Sequence, residues 1–168
     1  MPSTLQGHYL LNLVTKAIGH KPYELHVVAC AGGPVIGYSG LPVETAPIGN
    51  ETFDTVVFVG GEIEPMRTVE HITTAKQLAL KISRVASVCT GAFLLAEIGL
   101  LNDRRATTHW YHISELQSQF PRINIEGDNI YIEDRGVWTS AGIASGIDLA
   151  LAIIEKDMGA TVARDVSR

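Results

Sequence analysis

Cys89 stands in the string Ser87-Val88-Cys89-Thr90-Gly91-Ala92-Phe93-Leu94-Leu95. An ionised thiol is a nucleophile and a redox centre, and its surroundings decide whether it ionises. Here a β-prone run, Arg84 to Val88, stops at the cysteine; a small-residue turn and an almost wholly apolar helix follow. That layout predicts a thiol on a sharp strand-to-helix turn at the positive end of a helix, where the dipole and unpaired backbone N–H groups favour the thiolate. A nucleophile elbow needs small residues two positions before and two after the nucleophile, because the tight turn brings them together. Ser87 and Gly91 meet that need. An oxyanion site needs two backbone N–H donors: Thr90 supplies one, and the glycine pair Gly60-Gly61 on a neighbouring strand supplies the other. A thiolate also needs a base or cation, and His109 is the candidate. Glu62, directly after the glycine pair, either hydrogen-bonds the thiol or serves as a solvated or helix N-terminal charge.

Each of these residues also has a plainer reading. Free cysteine is often a small buried apolar residue, and Cys30, in mid-strand beside Ala29, is expected to be packing alone. His8, His20, His26, His71 and His112 show no partner pattern and are expected on the surface or with their hydrogen bonds satisfied. Asp148 is better explained as a helix cap than as an acid, and Arg104-Arg105 as a solvated turn.

The elements that must position the candidates are legible from hydrophobic period and turn residues. Residues 8–18 read as an apolar helix ending at Gly19, and Tyr23 to Cys30 as a strand entering a core. Gly32-Gly33-Pro34 is a turn between that strand and two short ones, Val35 to Tyr38 and Leu41 to Thr45. Thr55 to Val59 is the clearest strand. A helix follows over 68–82, then the cysteine strand, then a helix from Gly91 to Ile98 stopped by Gly99. Ala106 to Thr108 is expected as a short strand ending at His109, and Trp110 to Phe120 as a helix stopped by Pro121. Asn129 to Ile132 and Val137 to Ser140 form a hairpin around Asp134-Arg135-Gly136. Ser145 and Asp148 have capping-box spacing ahead of a helix over Leu149 to Lys156. Strands alternating with helices point to an α/β sandwich with a mostly parallel sheet. Ligands in such folds bind at the carboxyl ends of strands, where Gly60-Gly61, Cys89 and His109 all fall.

The chain has 168 residues, 46% hydrophobic and 18% charged, enough for one domain with a full core. Its net charge of −5 argues against duplex binding by this chain alone. Two cysteines make no disulfide framework, and no Cys/His spacing suggests zinc, so no metal or cofactor is expected. A reduced, cytoplasmic setting is the default, with no membrane span or signal peptide.

Three blocks, in order, carry a resemblance: Ser87–Leu101 (SVCTGAFLLAEIGLL), Arg104–Trp110 (RRATTHW) and Thr139–Glu155 (TSAGIASGIDLALAIIE). They resemble the ThiJ/PfpI-type, class I glutamine amidotransferase-like domain, and more narrowly the version fused to an AraC-type DNA-binding domain in bacterial transcriptional regulators. Weaker matches at Tyr23–Pro34 and Phe53–Gly61 extend this over nearly the whole chain. The resemblance implies a flavodoxin-like three-layer αβα sandwich with a mostly parallel sheet, usually dimeric. It implies Cys89 on the elbow, Thr90 and Gly61 at the oxyanion position, and His109 beside the thiol. In the family a first strand precedes the first helix, and an acid near its end contacts the cysteine. Aligning Thr4-Leu5-Gln6-Gly7 with the family's turn puts Thr4, which accepts no proton at neutral pH, at the acid position. The expectation is therefore a single domain over 1–168 that lacks most of that first strand and any helix-turn-helix domain.

The function this implies is a ligand-sensing and dimerisation domain of an AraC-type regulator. A small-molecule effector would sit at the cysteine elbow, and DNA would be reached only through a separate helix-turn-helix domain. The alternatives are a stand-alone cysteine-dependent hydrolase or hydratase acting on a carbonyl, amide or isocyanide carbon, and a redox sensor in which Cys89 is oxidised to sulfenic or sulfinic acid.

Overall fold

The computed structural model describes residues 19, 21–37, 40–142 and 144–168. The helix expected over 8–18, His8, His20, Tyr38, Ser39 and the acid position at Thr4 lie outside the described residues. The strands are β1 (Val28–Ala29), β2 (Gly33–Ile36), β3 (Pro42–Pro47), β4 (Thr55–Val59), β5 (Arg84–Val88), β6 (Arg105–Ala106), β7 (Asn124–Ile125), β8 (Tyr131–Asp134) and β9 (Val137–Ser140). The helices are α1 (Ile63–Met66), α2 (Val69–Lys81), α3 (Gly91–Glu97), α4 (Ile113–Gln119), α5 (Ser145–Met158) and α6 (Ala160–Val166).

The main sheet runs β4-β5-β9-β8, with β4, β5 and β9 parallel and β8 antiparallel at one edge. Strand β5 is central, and side-chain alternation along it builds two cores. Val85 faces one layer, where Phe93 and Leu95 of α3 join Leu101, Leu116 and Val137. Ala86 and Val88 face the other, with Trp138 and Leu149 of α5. A strand covered on both faces is buried along its length, and Arg84–Val88 is buried from Val85 onward, Ser87 included. Phe93 and Leu95 have no exposed surface, and each such side chain stabilises the fold by roughly 1.5–3 kcal/mol. This is a flavodoxin-like α/β sandwich. No helix among the described residues is long and apolar enough to cross a membrane.

Several expectations change. Only Val28–Ala29 of the Tyr23–Cys30 run is strand, paired in parallel with Ala46–Pro47 in a separate sheet of order β1-β3-β2. Cys30 therefore lies in a bend just past β1, half-buried, and not in mid-strand. Tyr23 is drawn instead to the end of α5, where its hydroxyl donates to Asp157 at 3.0 Å. Gly33 and Pro34 belong to β2 rather than to a turn. The strand before His109 is Arg105–Ala106; it pairs with β7 and ends three residues short of the histidine. The helix expected from Trp110 begins as a 3-10 turn, Trp110–His112, because the His109 ring and carbonyl both hold that turn. Ser145 does not form a capping box with Asp148: its hydroxyl turns back three residues, accepting from the Gly142 N–H and donating to the Gly142 C=O. Arg104 and Arg105 are not a solvated turn. Arg104 donates to the Asp134 and Arg135 carbonyls, and Arg105 pairs with Glu126. His112, for which the sequence shows no partner pattern, is satisfied by Glu115 at 2.8 Å. The hairpin forms as expected, over a two-residue turn in which Arg135 and Gly136 both have positive φ.

Candidate functional site

Strands β4 and β5 run side by side in register, so the turns at their carboxyl ends meet. The meeting is close. A Cβ on Gly60 would lie 2.6 Å from Thr90 Oγ1 and 3.0 Å from Cys89 Cβ, and one on Gly91 would lie 2.2 Å from the Phe58 carbonyl oxygen. Only glycine at these two positions lets the glycine turn press against the cysteine turn.

Cys89 itself has φ +59°, in the left-handed region that a residue with a Cβ enters at a cost of about 1–2 kcal/mol. Two long-range bonds hold it there. Its N–H donates to the Ser140 carbonyl at 2.9 Å, and its carbonyl accepts the Thr108 hydroxyl at 3.0 Å. The side chain packs against Ala86, Val88, Trp138 and Leu149, on the α5 side of the sheet. Ser87, Thr107, Thr108, Thr139 and Ser140 are all fully or almost fully buried. The Ser87 and Ser140 hydroxyls have no hydrogen-bond partner among the described residues.

Thr90, the residue at the N-terminus of α3, does not cap that helix with its side chain. Its hydroxyl crosses to the glycine turn, accepting from the Gly61 N–H at 3.0 Å and donating to the Gly61 carbonyl at 2.8 Å. The N–H assigned from sequence to an oxyanion is thus occupied by this chain's own hydroxyl. Burial pushes the Cys89 thiol above its ordinary value, partly offset by the Thr90 backbone N–H, the Thr90 hydroxyl proton being taken by the Gly61 carbonyl. The backbone at the start of the helix does pull toward the thiolate, and burial opposes it. Helix α3 has only seven residues, and desolvation outweighs the donors around its start.

His109 lies half-buried beside the loop entering α5; a Cβ on Gly142 would sit 3.9 Å from its Cδ2. Its Nδ1 accepts the Tyr111 N–H at 3.3 Å, so in the neutral ring Nε2 carries the proton and presents a donor. No hydrogen bond joins this ring to the Cys89 thiol among the described residues. Glu62 is exposed and precedes α1 without capping it, and its carboxylate makes no hydrogen bond among the described residues. The structure therefore brings together Cys89, Thr90, Gly60 and Gly61. It sets His109 on the same end of the sheet and leaves Glu62 in solvent.

Sequence reasoning missed Thr108 and Ser140, which hold Cys89 from other segments; nothing local marks such pairings. It also missed the rim. Trp110 and Tyr111, next to His109, are 72% and 71% exposed, and Ile130 is half-exposed where its carbonyl accepts the Ala141 N–H. A groove of about 670 Å³ lies elsewhere, lined by Glu64, Arg67, Ile72, Glu97, Gln119 and Phe120. Among the described residues no group of three or more His, Cys, Asp or Glu side chains is placed to hold a metal ion.

Similarity to known proteins follows the same outline. A DJ-1/PfpI family model matches residues 11–156. The chain is 33% identical over 153 residues to the HTH-type transcriptional regulator GlxA of Rhizobium meliloti (strain 1021), covering 89% of this chain and 47% of that protein. It is 36% identical over 107 residues to an isonitrile hydratase of Pseudomonas putida, covering 63% of this chain and 44% of that one. The chain thus spans less than half the length of either relative. An AraC family transcriptional regulator structure from Pseudomonas putida matches it with a TM-score of 0.87, over 99% of this chain and 91% of that one, at 17% identity, a likeness of fold. With the family match running from residue 11 to residue 156 over the sandwich just described, the chain belongs to the DJ-1/PfpI family.

Proposed function

We propose that this chain is the effector-sensing and dimerising domain of a transcriptional regulator, with a small molecule binding at Gly61, Cys89, Thr90 and His109 and DNA contacted through a separate domain. The observation that carries this is the similarity to an HTH-type regulator across 89% of the chain, over less than half of that regulator's length. The site's chemistry supports binding over turnover. The thiol is pushed toward its protonated form, no base among the described residues is bonded to it, and the Gly61 N–H is engaged by Thr90. A bound effector shifts a regulator only as far as it prefers one arrangement over another, so the ligand must favour one dimer geometry. A thermal-shift screen of cellular metabolites on the parent and on Cys89→Ala tests this. A stabilising ligand whose effect is lost in the variant supports it. A screen in which no metabolite stabilises the domain, together with regulation that survives its deletion, sinks it. Sedimentation velocity should show a dimer.

A second reading is a cysteine-dependent hydratase, favoured by the 36% identity to the isonitrile hydratase. It requires turnover of an isonitrile that disappears in Cys89→Ala.

A further inference from the structure

Cys89 is held in a conformation it would not choose, and the two bonds that hold it differ in kind. The bond from its N–H to the Ser140 carbonyl is main chain to main chain, and any residue at 140 supplies it. The bond to its carbonyl depends on one side chain, Thr108, arriving from a segment 19 residues away. The local alternative, the Ala92 N–H at the start of α3, reaches the same carbonyl only at 3.4 Å. Thr108 is fully buried, where an apolar side chain of the same shape would pack equally well. A hydroxyl there needs an acceptor, and Cys89 provides it. Its neighbour Thr107 is just as buried, yet serves other partners: its hydroxyl donates to the Asn129 carbonyl at 3.4 Å and its N–H to the Thr139 hydroxyl at 2.9 Å. Two adjacent threonines thus divide the work, one bracing the β8–β9 region and one bracing the cysteine. Thr108 also precedes His109, so one dipeptide places both candidate side chains.

We propose that Thr108 is a positioning residue that fixes the backbone of Cys89, and through it the direction of the thiol at the start of α3. Without the Thr108 hydroxyl the turn relaxes toward ordinary φ, and the thiol leaves the Thr90 backbone N–H that favours its thiolate. This rests on reading Cys89 as the centre of the site, but not on the effector. Its readout is thiol chemistry, so a failed metabolite screen leaves it standing, and its own failure leaves that screen untouched.

The test is iodoacetamide alkylation of Cys89 across a pH series, in a Cys30→Ser background that leaves one thiol, with melting temperature recorded alongside. Thr108→Val, which keeps the shape, is expected to slow alkylation near neutral pH by about fivefold and to move the profile to higher pH. Thr108→Ser, which keeps the hydroxyl, is expected to restore the parent profile. Thr107→Val is expected to lower the melting temperature while leaving the profile in place. Thr108→Ala gives a second variant without the hydroxyl, and its profile is expected to shift with that of Thr108→Val. The proposal is overturned if the valine and alanine profiles superimpose on the parent's, if serine fails to rescue, or if Thr107→Val moves the profile as far.

Discussion

At Cys89 burial and hydrogen bonding pull the thiol in opposite directions, and burial is the larger of the two. The thiol therefore stays protonated to higher pH than free cysteine, and its alkylation profile in a Cys30→Ser background is expected to have its midpoint above that of a cysteine peptide measured alongside. A midpoint below the peptide's would mean that a cation or base reaches the thiol. Thr90→Val removes the hydroxyl that ties the cysteine turn to Gly61 through two hydrogen bonds and is expected to lower the melting temperature. Steric fit is the other constraint at this scale. Gly91→Ala would place a Cβ 2.2 Å from the backbone oxygen of Phe58, which cannot step aside as a side-chain tip can. A loss of about 3 kcal/mol or more is expected in denaturant unfolding. The need for a small residue at 91 was legible from the elbow rule, whereas the Phe58 carbonyl that enforces it comes from β4 and was not. The Thr90 hydroxyl's choice of Gly61 over its own helix was not, since it joins residues 29 apart, and the same holds for Thr108.

Elements whose sequence pattern is local were legible with nearly correct ends. Thr55–Val59 and Arg84–Val88 are strands as expected, and α2 lies within the expected 68–82, entered through the Thr68 side chain, which accepts the His71 N–H. Elements that depend on a partner were not legible. Strand β1 is cut to two residues by what β3 offers it, and β6 is set by pairing with β7, so neither follows from β-propensity. Helix α5 shows how tertiary contacts fix an element's two ends. Ser145 is tied to Gly142 at the site end. At the far end Arg84, at the start of β5, pairs through both guanidinium nitrogens with Asp157, which Tyr23 also contacts. Arg84 and Tyr23 hold the Asp157 carboxyl below its ordinary value, with the Arg84 hydrogen bond the main cause and burial opposing it. A carboxyl lowered in the folded state contributes stability above its unfolded value, about 3.9, and that contribution disappears as pH falls through the folded value. Asp157→Asn is thus expected to cost about 1–2 kcal/mol near neutral pH, for a pair that is mostly but not wholly buried. The gap between parent and variant should stay constant down to about pH 4 and close below it. Urea unfolding of both proteins across that range checks this, and a gap that persists into acid would assign the loss to packing instead.

For the whole molecule, the sandwich and its burial of β5 on both faces were readable from alternating elements, because covering a parallel sheet leaves few other solutions. The site's chemical character was not readable, because it depends on how deeply β5 carries Cys89 into the second core and on which donors reach it there. The division of labour in the proposed regulator makes a further demand on the molecule as a whole. Lys and Arg number 13 against 18 Asp and Glu, giving the net charge of −5. Many of the cations are already spent: Arg67, Arg84, Arg105, Arg122 and Arg135 each pair with a carboxylate. Duplex affinity comes chiefly from unpaired cations displacing counterions from phosphates. This chain should therefore bind a labelled duplex more weakly than about 10⁻⁴ M even at low salt, measured by fluorescence anisotropy. Saturable binding at low micromolar protein, falling steeply as salt is raised, would put DNA contact on this domain itself. The proposed separation of effector sensing from DNA reading would then be wrong, whatever the proposed site at Cys89 binds.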